Sequence, residues 1–196
     1  MIVIITGPTC SGKSSLVAEL KNRGFLQIVT TTTRPQRPTD KPSDYNFINE
    51  DEFMYEMEKN RLLESNQHGD YLYGVGLQEV VKAVDCGGDW VITLDPSGQR
   101  KLKRYLEANK APMLSVFLQA DAKVRLHRLV QREGKHDAVM DRLATMLTVE
   151  AHWFRDDSEY YDMLLETGEN SVKDVADVIT QHVTRYNKNS LSKKVV

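Results

Sequence analysis

The sequence predicts an α/β fold in three layers, a mostly parallel sheet of about five strands flanked by helices, with a lobe inserted into it. Three observations predict this. Met1-Ile2-Val3-Ile4-Ile5-Thr6 is a β-branched run that is apolar without alternation, as in a strand buried on both faces. A glycine-containing turn, Gly7-Pro8-Thr9-Cys10-Ser11-Gly12-Lys13-Ser14, joins it directly to a helical segment over about Lys13 to Arg23. Apolar runs then alternate with helical periodicities along the chain, the pattern of strands paired in parallel through helical crossovers.

The turn has the spacing G-x-x-x-x-G-K-S and reads as a phosphate-binding loop. Gly7 and Gly12 let the backbone turn tightly and gather its N–H groups around a phosphate, and Lys13 adds a point charge. The helix behind the loop aims the positive end of its dipole at the same anion. Ser14 is expected to hold Mg²⁺ through its hydroxyl. Cys10 reads as a small filler within the loop.

Composition narrows the partners. A chain of 196 residues suffices for one well-cored domain with an inserted lobe. Net charge is −2, from 26 basic and 28 acidic residues, so no overall field favours nucleic acid or an acidic membrane, and anion binding must come from local clusters. Cys10 and Cys86 are too few and too far apart for a disulfide framework or a metal knuckle, and they fit a reducing compartment. No run approaches the roughly 18 apolar residues of a spanning helix, and no basic leader precedes the first strand. A cytoplasmic protein with no membrane or nucleic-acid partner is expected.

Along the chain, Gly24 stops the first helix and Gln27 to Thr31 reads as a second strand. Thr30-Thr31-Thr32-Thr33-Arg34-Pro35-Gln36-Arg37-Pro38 then sets two arginines three apart in a segment its prolines keep out of helix and sheet. Asp44 to Ile48 is a short alternating strand, and Asn49 with Glu52 has capping-box spacing for a helix over about 50–60. Residues 61–76 read as two antiparallel strands with a turn near Gly69, followed by a helix over 77–84. Trp90 to Leu94 is the third core strand. It ends at Asp95, which puts Asp95 at the carboxyl edge of the sheet, where ligands of parallel sheets sit.

A helix over 99–109 leads to a strand over 113–118, and Asp121 caps a helix to about Arg132. The next helix, about 139–155, is opened by Arg142, with Leu129, Leu143, Met146 and Leu147 as the buried face of this pair. Residues 163–165 form the last strand and 172–186 the last helix, after which a polar tail frays. The expected division is a core of about 1–29 and 86–196, an inserted lobe of about 30–85, a mobile basic lid of about 128–142 and a frayed tail of 187–196.

Five blocks of this sequence, in order, resemble the guanylate kinase family over nearly the full length. They are the loop Gly7 to Ser14; Thr32-Thr33-Arg34 with Arg37 and Asp44-Tyr45-Asn46-Phe47; Leu63-Glu64 with Tyr73-Gly74; Leu94-Asp95 with Gly98; and the set Arg128, Arg132, Arg142. The resemblance implies ATP-dependent phosphoryl transfer to a purine nucleoside monophosphate, GMP or dGMP, with Mg²⁺, in a monomer or homodimer. It implies ATP binding by Gly7, Pro8, Thr9, Cys10, Ser11, Gly12, Lys13, Ser14 and Ser15. It implies acceptor binding by Thr30, Arg34, Arg37, Tyr45, Glu64, Tyr73, Gly74, Val75 and Asp95, and charge stabilisation by Lys13, Arg34, Arg128, Arg132 and Arg142.

These roles make chemical sense. Two guanidinium forks and two phenols suit a phosphate dianion, and a carboxylate such as Glu64 accepts both the N1–H and the 2-amino group of guanine. Arg125 and His127 read as solvated helix charges. Val75 stands where the family usually has a hydroxyl residue that helps read the base, Thr93 where a further aspartate is common, and Glu166-Thr167 where an asparagine–aspartate pair lies near the donor adenine. These departures imply relaxed base specificity. The Tyr71 to Gly76 stretch is also similar to the ribose bisphosphate phosphokinases, and a non-catalytic guanylate-kinase-like interaction module is the remaining alternative.

Overall fold

Residue Ile4 and its neighbours on the first strand decide how the layers are built. A computed structural model describes residues 1–37, 40–133, 136–153 and 158–192. Strand β1 (Ile2–Thr6) is buried at every position. Val3 and Ile5 enter one apolar layer, while Ile2 and Ile4 enter the other. Because successive strand side chains point to opposite faces, the unbroken apolar run is what a central strand covered on both sides requires.

The chain then runs through α1 (Lys13–Asn22), β2 (Leu26–Gln27), β3 (Thr30–Thr32), β4 (Tyr45–Phe47), α2 (Glu50–Glu58), β5 (Leu62–His68), β6 (Tyr71–Gly76) and α3 (Leu77–Asp85). It continues with β7 (Trp90–Thr93), α4 (Pro96–Ala108), β8 (Met113–Gln119), α5 (Ala122–Glu133), α6 (His136–Thr148), 3₁₀ turns at Glu150–His152 and Ser158–Tyr160, β9 (Met163–Glu166) and α7 (Val172–Ser192). The core sheet has five strands in the order β2-β7-β1-β8-β9, all parallel. On one face Leu16, Val17 and Leu20 of α1 pack with Val175, Ala176, Ile179 and Val183 of α7; on the other lie Val80 and Ala83 of α3 with Leu102 and Leu106 of α4.

The second strand expected from the sequence is two strands in two sheets. Leu26–Gln27 pairs with β7 at the edge of the core sheet, whereas Thr30–Thr32 belongs to a four-stranded lobe sheet of order β4-β3-β6-β5. One extended segment serves both because Ile28, fully buried between them, donates its N–H to Val91 O at 3.0 Å before the chain turns away. The capping box at Asn49 and Glu52 forms as its spacing predicts.

Other expectations are corrected. Helix α4 begins at Pro96, with Asp95 as its N-cap, because aspartate followed by proline is a helix start. Arg142 lies inside α6, which ends at Thr148; residues 154–155, the end of the longer helix expected there, lie outside the described residues. Leu129 and Met146 are buried, but Leu147 is 67% exposed and leaves the predicted apolar face. Helix α7 continues to Ser192, past the expected fraying point, and the Asn187 amide donates to the Asp89 carboxylate at 3.2 Å. Residues 193–196, and 134–135 of the expected lid, lie outside the described residues. Among the described residues, no helix is long and apolar enough to cross a membrane.

Candidate active site

The loop after β1 is constrained by contact at its first glycine. A Cβ on Gly7 would lie 2.1 Å from the carbonyl oxygen of Leu118 in β8, so only glycine lets the loop pass the sheet edge. Gly12, at φ 100, is the left-handed N-cap of α1, and Cys10 is a non-glycine residue at φ 61. Lys13 folds back over the loop, donating from Nζ to Gly7 O at 2.6 Å and Pro8 O at 2.9 Å. Burial pulls its pKa down to about 8, against the attraction of the Glu150 carboxylate. Ser14 and Ser15 are exposed in the first turn of α1.

Three residues outside the predicted site set support this loop. Glu150, buried in the 3₁₀ turn after α6, accepts from Thr9 N at 2.8 Å, Thr9 Oγ1 at 2.5 Å and Arg125 Nη2 at 2.8 Å. Arg125, expected to be a solvated charge, donates from Nε to Thr9 O at 2.9 Å, so both backbone polar groups of Thr9 are gripped. Thr167 is buried and donates to Ser11 O at 2.6 Å while accepting from Arg128 Nη1 at 3.1 Å. It therefore props the loop from beneath. Arg128 also donates to Cys10 O at 3.1 Å. A signal existed for Arg125: three residues before Arg128, it shares that helix face. Nothing local marks Glu150.

The lobe sheet collects the other predicted residues by register. Thr30 pairs with Tyr45 on one side and Val75 on the other, and Val75 pairs with Glu64. One step along, Thr32 pairs with Phe47 and Tyr73, and Tyr73 with Asn66. Directly paired residues point to the same side of a sheet, and so do residues two apart on a strand. Thr30, Tyr45, Glu64, Tyr73 and Val75 thus share one face. The register shift between Leu62 and Glu64 sets which side Glu64 takes.

Arg34 sits against this face, buried, with its guanidinium 5.4 Å from the Tyr45 ring centre and 5.8 Å from that of Phe47. Its Nη1 lies 2.9 Å from the Asp40 carboxylate, which also accepts the Arg37 backbone N–H at 2.8 Å. Burial works against the Arg34 charge, but the Asp40 carboxylate holds the guanidinium more firmly protonated than usual. Burial also pushes the Tyr45 hydroxyl pKa up, with Tyr73 adding to it. Arg37 is half-buried next to this group. Asp40 was not singled out from the sequence, where it is one acidic residue in a polar loop.

Where the lobe meets the core, the Glu64 carboxylate is buried against the start of α4. A Cβ on Gly98 would come within 3.0 to 3.1 Å of all three carboxylate atoms of Glu64, so Gly98 is glycine to admit them. Asp95 accepts the Gly98 N–H at 2.7 Å, which makes it the N-cap of α4 at the place where the Glu64 carboxylate is buried. Asn66 donates from Nδ2 to both acids, at 3.2 Å to Glu64 Oε2 and at 2.9 and 3.1 Å to Asp95. Asn66 was not foreseen, although its place two residues after Glu64 puts it on the same face.

Some predicted residues have other work. Gly74 faces the opposite side, where a Cβ would meet Leu62 Cδ1 at 2.9 Å and Phe53 Cζ at 3.1 Å; its lack of a side chain seats α2 on the sheet. Val75 is fully buried in the apolar layer with Ile28 and Val80. Arg132 is exposed on α5 and Arg142 half-buried on α6. An open groove of about 660 Å³, lined by Thr31, Asn46, Tyr55 and Arg61 among others, lies on the reverse face of the lobe and includes none of the predicted residues.

The sequence profile of a family described as guanylate kinase matches residues 1–184. The chain belongs to the guanylate kinase family. Curated guanylate kinases resemble it at modest identity. That of Prochlorococcus marinus subsp. pastoris is 27% identical over 185 residues, covering 91% of this chain and 96% of the relative. That of Nitrobacter winogradskyi is 31% identical over 160 residues, covering 78% and 71%. The crystal structure of guanylate kinase from Anaplasma phagocytophilum superposes with a TM-score of 0.66 at 21% identity, over 95% of this chain and 85% of that one, which shows the shared fold. As a guanylate kinase family member the chain is a nucleoside monophosphate kinase with the P-loop kinase fold.

Proposed function

We propose that the chain transfers the terminal phosphoryl group of ATP to GMP or dGMP. The observation that carries this reading is the single face of the lobe sheet that holds Thr30, Tyr45, Glu64 and Tyr73, closed at one end by Arg34 and at the other by the start of α4. Arg34, Arg37, Tyr45 and Tyr73 take the acceptor phosphate, and Glu64 with Asp95 takes the base. The loop Gly7 to Ser15 takes the donor. Relatives that carry the name guanylate kinase support the choice of GMP.

The chemistry needs little beyond charge and position. The second pKa of a phosphate monoester is about 6, so the acceptor is already a dianionic nucleophile at neutral pH. The obstacle is repulsion between two polyanions, about 4 kcal/mol for each pair of unit charges 4 Å apart at an effective dielectric near 20. Lys13, Arg34, Arg37, Arg128, Arg132 and Arg142 offset it, and their effect grows as charge spreads over the group in flight. Among the described residues no cluster of three acidic, histidine or cysteine side chains could hold a metal by itself. That sparse donor set fits Mg²⁺ carried mainly on phosphates and water, with the exposed Ser14 hydroxyl as its protein ligand. When bound, Mg²⁺ would supply further neutralisation of phosphate charge.

Phosphorylation of GMP, dGMP, AMP, dAMP, CMP and dTMP by ATP, measured in parallel, tests the proposal. GMP and dGMP turnover well above the rest is expected. Turnover of no purine monophosphate would overturn it.

A further inference from the structure

Asn66 joins two acids that a base is proposed to need. It follows Glu64 by two residues on β5, so both side chains stand on the acceptor face, and its backbone is held opposite Tyr73 on β6. Its amide nitrogen lies 3.2 Å from one Glu64 oxygen and 2.9 and 3.1 Å from the two Asp95 oxygens. Ionised carboxylates only accept, so the amide must present its NH₂ group and not its oxygen. A planar nitrogen with two N–H bonds, set between two carboxylates, has the donor chemistry of the 2-amino group of guanine.

We infer that Asn66 is a specificity-determining residue that stands in for this amino group, so that the site takes 6-oxopurine monophosphates lacking it as well as GMP. The inference rests on the acceptor reading proposed above. A site built to hydrogen-bond a ligand N–H commonly rejects the analogue without it by ~10⁴ to 10⁵, because its buried acceptors are left without a donor. Here Asn66 presents a donor to the same carboxylates whichever base arrives. Hypoxanthine keeps the N1–H that Glu64 can accept; adenine has a lone pair there and stays excluded. Val75, paired with Glu64 across the sheet, carries no polar group to register the missing amine.

The test is kcat/KM for GMP, inosine monophosphate and AMP with ATP, on the full chain and on Asn66→Ala and Asn66→Ser. The unaltered protein is expected to prefer GMP over inosine monophosphate by less than ~10³, below the discrimination of a site that depends on the amine. Both variants are expected to lower the ratio of inosine monophosphate to GMP turnover by about tenfold or more, a change in selectivity that general loosening of the lobe would not produce. GMP turnover with larger discrimination in the unaltered protein, or a ratio that neither variant moves, would overturn the inference and leave the acceptor reading standing. If neither nucleotide is a substrate, the acceptor reading falls and this inference with it. The ratio in the unaltered protein decides the matter even if the variants fold poorly.

Discussion

Lys13 is the residue whose environment most directly shapes behaviour in solution. With its pKa lowered to about 8 by burial, the folded protein releases this proton earlier than the unfolded chain, whose lysine titrates at 10.5. Between those values the unfolded state binds more protons, so the Lys13 contribution to stability rises with pH across that window. Ligand binding has the opposite sign, since a polyphosphate restores the charged form. Affinity for metal-free ATP, already fully ionised there, should fall above about pH 8, by at most about tenfold per pH unit. Calorimetry in two buffers of different ionisation enthalpy should record proton uptake near pH 8; affinity that is constant from about pH 7 to 9 contradicts this account.

Glu150 and Gly98 make residue-scale predictions of different kinds. Glu150→Ala removes the acceptor that fixes Thr9 and leaves the half-buried Arg125 without its carboxylate, a loss below the about 3 to 5 kcal/mol of a fully buried pair. A clear fall in melting temperature is expected, with Glu150→Gln, which keeps an acceptor for Thr9, falling less. Equal melting temperatures for the parent and Glu150→Ala would show that the clamp contributes nothing. Gly98→Ala puts a methyl at 3.0 Å from the Glu64 carboxyl carbon, so Glu64 must shift. The expected result is a rise in KM for the acceptor of about tenfold with KM for ATP little changed, read from steady-state kinetics.

At the scale of elements, Asp95 caps α4 and is proposed to take the base, and the two roles can be separated. Asparagine caps helices about as well as aspartate, whereas alanine does not. Asp95→Asn should therefore keep α4 and its stability within a few tenths of a kcal/mol, while Asp95→Ala loses about 0.5 to 2 kcal/mol in urea unfolding. If both variants raise the acceptor KM alike, the charge serves the base; if only Asp95→Ala does, the residue acts as a cap alone. The reversal of Arg125 from expected surface charge to loop support also belongs here. Its helix face was legible, but what that face meets depends on where the turn at Glu150–His152 comes to rest.

At the scale of the whole molecule, α7 closes one apolar layer over α1, and its continuation past Asn187 ties it to the loop before β7. Removing residues 187–196 should lower the melting temperature by about 2 to 4 °C, the effect of about 1 kcal/mol in a domain of this size. A truncated chain with the parent's melting temperature would restore the view of this stretch as a loose tail.

The sequence by itself determined the layered α/β class, the phosphate-binding loop, the capping box at Asn49, and the chemistry available to the lobe. These rest on local rules: periodicity, glycine spacing and capping residues act within a few positions of one another. Only the tertiary structure decided which residues meet. The split of the second strand, the register shift that turns Glu64 inward, the Asn66 bridge to Asp95 and the grip of Glu150 on Thr9 join positions 29 and 141 residues apart in the last two cases, or depend on one residue of register. No local pattern encodes such meetings, because a strand slipped by one residue keeps its composition and reverses every side chain, and a buried carboxylate looks like a surface one until its partners arrive.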